Sequence, residues 1–169
     1  MSTTFFILLQ VSILAYALVA GVFLAFSDFI MRSLALTGGV GGVEAMQVIN
    51  REVFRWVFMA LFLGMAGVSV LIAGYVWVAL SGPAATLIGV AALVYLVGCF
   101  GVTVAFNVPM NEALAGMDLR SEVTQDYWVQ SYVPRWTFWN SVRTGAATLS
   151  AALLLFGLFW MKQSPSLPV

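Results

Sequence analysis

The sequence predicts an all-α fold, an integral membrane four-helix bundle with an interfacial amphipathic helix before the second span. Three observations carry this. Of 169 residues, 62% are hydrophobic and 8% charged, with mean hydropathy +1.01, whereas soluble domains are roughly one-quarter charged. The apolar residues gather into four runs, each near the ~20 residues a helix needs to cross a hydrocarbon core. Polar or Gly/Pro-rich breaks separate the runs, and nothing divides residues 1–169 into more than one domain.

Seven basic and seven acidic residues cancel. No charge excess points to nucleic acid, which is excluded as a partner; the lipid bilayer is the expected one. The chain has no histidine and a single cysteine, Cys99. Without histidine the usual haem, copper, non-haem iron and catalytic zinc ligand sets cannot be assembled, nor a histidine-based triad. No metal site is expected. Cys99 reads as a small buried hydrophobe, and an intrachain disulfide is impossible.

The first span, about residues 5–31, opens on an apolar run from Phe5 to Phe26 and ends in Ser27-Asp28-Phe29-Ile30-Met31-Arg32. No Lys or Arg precedes the run, and it exceeds a signal-peptide core of roughly 7–15 residues, so it reads as a retained helix. Gln10, Leu14, Ala17, Gly21 and Asp28 lie near one helical face, which is expected to pack inward. Residues 33–43, with four glycines, read as a loop. From Glu44 to Phe58 the pattern is amphipathic: Glu44, Gln47, Arg51 and Arg55 share a stripe opposite Met46, Ile49, Val53, Trp56 and Val57. Two readings stay open, a stripe facing solvent or headgroups, or one in which Glu44 or Gln47 reaches a site at the membrane edge.

The second span, about 56–80, and the third, about 84–106, are joined by Ser81-Gly82-Pro83, too short for anything but an antiparallel hairpin. Glycines within them, among them Gly98 and Gly101, read as positions of close helix approach. Pro109 cannot donate to the carbonyl of Ala105, so the third helix is expected to kink or stop at Asn107-Val108-Pro109-Met110-Asn111-Glu112. Asn107 either satisfies freed carbonyls there or serves a site. Residues 113–134 are the most polar stretch and read as a water-facing loop or short helix. The last span, about 135–161, carries Trp136, Asn140, Arg143, Ala147 and Ser150 on one narrow stripe that must avoid lipid. Residues 163–169 read as an unstructured tail.

Four spans place both termini on one side. The loop side holds Arg32, Arg51, Arg55, Arg120 and Arg135, the terminal side only Lys162, so the loops between spans 1–2 and 3–4 are expected to be cytoplasmic and the termini outside. Trp77 and Trp160 would form an outer aromatic belt, and Trp56, Trp136 and Trp139 an inner one.

A charge near a bilayer centre costs at least ~2.5–3.5 kcal/mol, so Arg143 must have a partner, and Asp28 or Glu112 is the expected one. Asp28, Glu44, Asn107, Asn111, Glu112, Trp136, Asn140 and Arg143 fall toward the same end of the bundle. Their convergence predicts either a satisfied polar network or a small-molecule site.

Ala45-Met46-Gln47 with Ile49-Asn50, then Asn107-Val108-Pro109-Met110-Asn111, then Trp136, Trp139-Asn140 and Arg143 resemble the anthrone oxygenase-like family over about residues 10–160. Its bacterial members are small four-helix membrane proteins, and the resemblance implies residence in a bacterial inner membrane. Fungal members are associated with oxidising polyketide anthrones to anthraquinones with dioxygen, without metal or flavin. The resemblance therefore implies a cofactor-independent oxygenase for a lipid-soluble phenolic or anthrone-like aromatic. Arg143 with amides from Asn107, Asn111 or Asn140 would hold the substrate anion, and Glu112 or Asp28 would take its proton. Trp136 and Trp139, with Gln47, would form the binding surface. The alternative is a non-enzymatic membrane protein that uses the same cluster to bind a lipid-soluble ligand or a partner protein; a transporter or channel subunit is a third.

Overall fold

The computed structural model describes residues 2–55 and 57–163. It is all-helical, with four helices long and apolar enough to cross a membrane: α1 (Thr3–Leu36), α3 (Val57–Ala79), α4 (Pro83–Ala115) and α5 (Glu122–Lys162). The shorter α2 (Gly41–Glu52) precedes the second of these. The belt role expected of Trp56, and residues 164–169 of the tail, fall outside the described residues.

Local chemistry sets the helix ends. Ser2 caps α1 by accepting the Phe5 N–H at 3.2 Å, satisfying one of the donors every helix start leaves over. Gly82 turns the chain at φ +89°, a conformation that favours glycine, and Pro83 then occupies the first turn of α4, where its missing N–H is not needed. The hairpin closes so tightly that a Cβ on Gly89 would lie 3.3 Å from Val76.

Two sequence expectations about helix length are corrected. α4 continues through Pro109 to Ala115, because it widens into a π turn over Thr103–Asn107. The Val108 N–H reaches back to the Thr103 carbonyl, so the helix passes the proline without the Ala105 acceptor. Of the water-facing loop or short helix expected over residues 113–134, residues 122–134 are helical and continue into the last span. They form the first turns of α5, with Trp128, Tyr132 and Thr124 buried.

The core has two parts. Leu9, Tyr16, Val19, Ile72, Ile88 and Leu154 belong to the larger, between the four long helices. Met31, Val43, Met46, Leu114, Trp128 and Tyr132 form the smaller, where α2 folds across the bundle end. The face of α1 expected to point inward does not: Gln10, Leu14, Ala17, Gly21 and Asp28 are all exposed, while Leu9, Ser12, Tyr16, Val19 and Phe23 are buried. The bulky aromatic face fills the bundle, and in lipid the opposite face meets no water that would make its apolar positions costly. Close approach is confirmed for Gly98, where an added Cβ would meet Ala146 at 2.7 Å. Gly64, Gly67 and Gly74 of α3 instead face open space.

Candidate functional site

A cavity of about 360 Å³ lies where α2 crosses the bundle. Its wall is aromatic, from Phe23 and Phe26 of α1, Phe58 and Phe62 of α3 and Trp136 of α5, with Met46, Ile49 and Asn50 added by α2. Thr103 and Asn111 come from α4 and Arg143 from α5. Two lining residues are exposed, Val22 at 38% and Phe54 at 65%, so the cavity has an apolar lip on the outside of the bundle.

Arg143 is 5% exposed. Its Nη2 donates to Asn140 Oδ1 at 2.6 Å and its Nη1 to Thr103 Oγ1 at 3.2 Å. Its guanidinium carbon sits 4.1 Å from the Phe23 ring centre and 5.3 Å from that of Trp136, geometry in which an aromatic face attracts a cation. No carboxylate joins it. Among the described residues the one ion pair is Arg55–Glu52, at 3.2 Å, and Asp28 and Glu112 are exposed. The carboxylate partner expected for Arg143 is therefore replaced by an amide, a hydroxyl and two rings. A guanidinium has five donors; two are used here, and Nε is buried with no partner.

The other predicted residues separate into three groups. Asn140 stands behind the arginine: its Nδ2 donates to the Phe23 carbonyl and to Ser27 Oγ, both at 2.6 Å, so its amide is spent on orienting Arg143 and tying α5 to α1. Asn107, fully buried, donates to the Trp136 carbonyl at 3.3 Å and likewise joins two helices. Gln47 donates to the carbonyls of Leu114 and Met117 at 2.8 and 3.2 Å, closing the C-terminal end of α4, whose last carbonyls lack helical partners; Glu44 is exposed. Trp139 stacks on Phe106 at 3.7 Å and is not part of the cavity wall.

Asn111 and Trp136 do line the cavity, in a network the sequence did not reveal. Asn111 Oδ1 accepts from Tyr132 Oη and from Trp136 Nε1, both at 2.8 Å, and Asn50 Nδ2 donates to Tyr132 Oη at 3.3 Å. The wall also contains Glu52, the one carboxylate there. Asn50 had a visible signal, its place in the Ile49-Asn50 motif. Tyr132 and Glu52 had none, because a tyrosine in a polar stretch and a glutamate at the end of an amphipathic helix look like surface residues.

Four candidate membrane spans around an aromatic cavity that holds a buried arginine define the chain as a helical bundle of the membrane-protein class. Within that class the chain belongs to the anthrone oxygenase family, whose model matches residues 50–153. The matched stretch contains Asn50, Glu52, Thr103, Asn111, Trp136 and Arg143 and leaves out α1, which supplies Phe23 and Phe26. No curated protein and no solved structure matches the chain.

Proposed function

We propose that this protein is a cofactor-independent oxygenase for a flat, lipid-soluble phenolic or anthrone-like aromatic. The observation that supports it above the others is Arg143, a buried cation facing an aromatic cavity with no carboxylate in ion-pair contact with it. Burying an unbalanced charge is costly, and a monoanionic ligand would offset that cost. Family membership supports an oxygenase reaction, and the exposed lip at Val22 and Phe54 suits a ligand arriving from the bilayer. The clustering of arginines at the loop side favours a cavity near the cytoplasmic face.

In the proposed reaction, Glu52 accepts the benzylic proton of an anthrone in place of Asp28 or Glu112. The electron pair left behind delocalises on to the ketone oxygen, whose charge Arg143 balances. A fixed donor aimed at developing charge is a large catalytic contribution. The carbanion reduces dioxygen and forms a carbon–oxygen bond; the hydroperoxide then loses its remaining carbon-bound hydrogen as the O–O bond breaks. One anthrone and one O2 give one anthraquinone and one water.

The test is anthraquinone formation by the protein in nanodiscs, against protein-free nanodiscs. The expected result is a protein-dependent rate that falls about 100-fold or more in Arg143→Gln, as when an oxyanion-stabilising donor is lost. A rate no faster than the control would overturn the oxygenase reading. Ligand binding without turnover would leave the non-enzymatic alternative.

A further inference from the structure

We propose that Asn111 reads a second oxygen atom on the ligand, away from the oxygen that meets Arg143, and so selects aromatics carrying oxygen at two positions. This rests on the reading of the cavity as an anion-binding site. The geometry behind it is that of one amide. An asparagine side chain has an acceptor end and a donor end that can exchange by a half-turn. Here the exchange is blocked. Trp136 Nε1 can only donate, and at 2.8 Å it requires oxygen opposite it; Tyr132 Oη donates to the same oxygen, also at 2.8 Å. The acceptor end of Asn111 is thereby used twice, its NH2 group has no protein partner among the described residues, and Asn111 is one of the residues that line the cavity.

The other two candidate asparagines cannot play this part. The NH2 of Asn140 is committed to Phe23 and Ser27, and that of Asn107 to the Trp136 carbonyl. Asn111 is the one asparagine of the three whose donor remains unspent. Tyr132 does not line the cavity, and it positions Asn111 without needing to touch a ligand. An NH2 donor discriminates: it rewards a carbonyl or phenolate oxygen and gains nothing from a bare ring edge, which offers no acceptor.

The experiment uses two probes that share an ionisable hydroxyl and a three-ring body, 2-hydroxyanthraquinone and 2-hydroxyanthracene. Both are titrated without oxygen into the wild type and into Asn111→Asp, in nanodiscs. The aspartate keeps an acceptor for Trp136 and Tyr132 but lacks the NH2. The added charge acts on both ligands, so the readout is the ratio of the two affinities rather than either alone. We expect the wild type to prefer the quinone and the preference to fall about fivefold to tenfold in the variant, the size of one net hydrogen bond. Tyr132→Phe, which leaves Trp136 alone to hold the amide, should lower the preference by a smaller factor. Should Asn111→Asp fail to fold by thermal melt, Asn111→Ala is read on the same ratio. A ratio unchanged within about twofold, with both probes still bound, overturns the role of Asn111 and leaves the cavity reading standing. A wild type that binds neither probe overturns both.

Discussion

The two ends of the bundle treat buried polar atoms in opposite ways. In the larger core, Tyr16 Oη pairs with Ser69 Oγ at 2.6 Å, Ser69 in turn bonds the Met65 carbonyl at 2.6 Å, and Tyr95 donates to the Phe62 carbonyl at 3.1 Å. The two tyrosine rings stack at 4.6 Å. Among the described residues, every buried hydroxyl there has a partner, as a packed interior demands. At the α2 end, Arg143 Nε, Asn107 Oδ1 and Thr137 Oγ1 are buried without a partner among the described residues, and the half-buried Asn111 has an NH2 with no protein partner. The bundle has the means to satisfy polar groups and does not use them around the cavity, which is the contrast on which the proposed ligand site rests.

The comparison can be broken by substitutions that should act on one end alone. The largest effect belongs to packing: Leu154→Ala, at a fully buried position, should cost about 2–5 kcal/mol. It should lower the melting temperature in detergent while leaving ligand affinity at low temperature unchanged. At the other end, Glu52→Gln should slow anthrone turnover by about 100-fold, within the range for loss of a positioned general base, with no change in melting temperature. An unaltered rate would remove Glu52 from the mechanism. Ser69→Ala leaves Tyr16 Oη without its partner and should cost about 1–3 kcal/mol, with turnover per folded molecule preserved. The smallest effects sharpen the contrast: Asp28→Asn and Glu112→Gln, both exposed and away from Arg143, should leave rate and melting temperature alike within error.

How much of this was legible in the sequence depended on whether the signal was local. The four spans, the tight turn at Gly82 and the buried stripe of α5 followed from hydropathy, one glycine–proline pair and the cost of a charge in lipid. The partners of Arg143 did not. A carboxylate is the usual answer to a buried arginine, but Asn140, Thr103 and Phe23 meet it because of how α1, α4 and α5 are rotated, which depends on every contact between them. The inward face of α1 was misread for a related reason: where both faces are apolar, side-chain bulk decides which one packs, and polarity carries little information. A stop at Pro109 was one of two expectations because α-helical spacing would leave the Ala105 carbonyl unpaired; the π turn over Thr103–Asn107 removes that need.

That spacing has a consequence for inheritance. Three π turns flank the cavity, at Phe26–Ile30, Thr103–Asn107 and Trp128–Tyr132, and each accommodates an extra residue within a helix. Deleting one residue from Thr103–Asn107 would remove that π turn and rotate everything beyond it by ~100° relative to what precedes it. Asn111 would leave Trp136 and Tyr132 while Thr103 stayed beside Arg143. The alignment of the two donors is thus written in the number of residues as much as in their identity, and a change of length by one should abolish selectivity even with every side chain of the cavity retained.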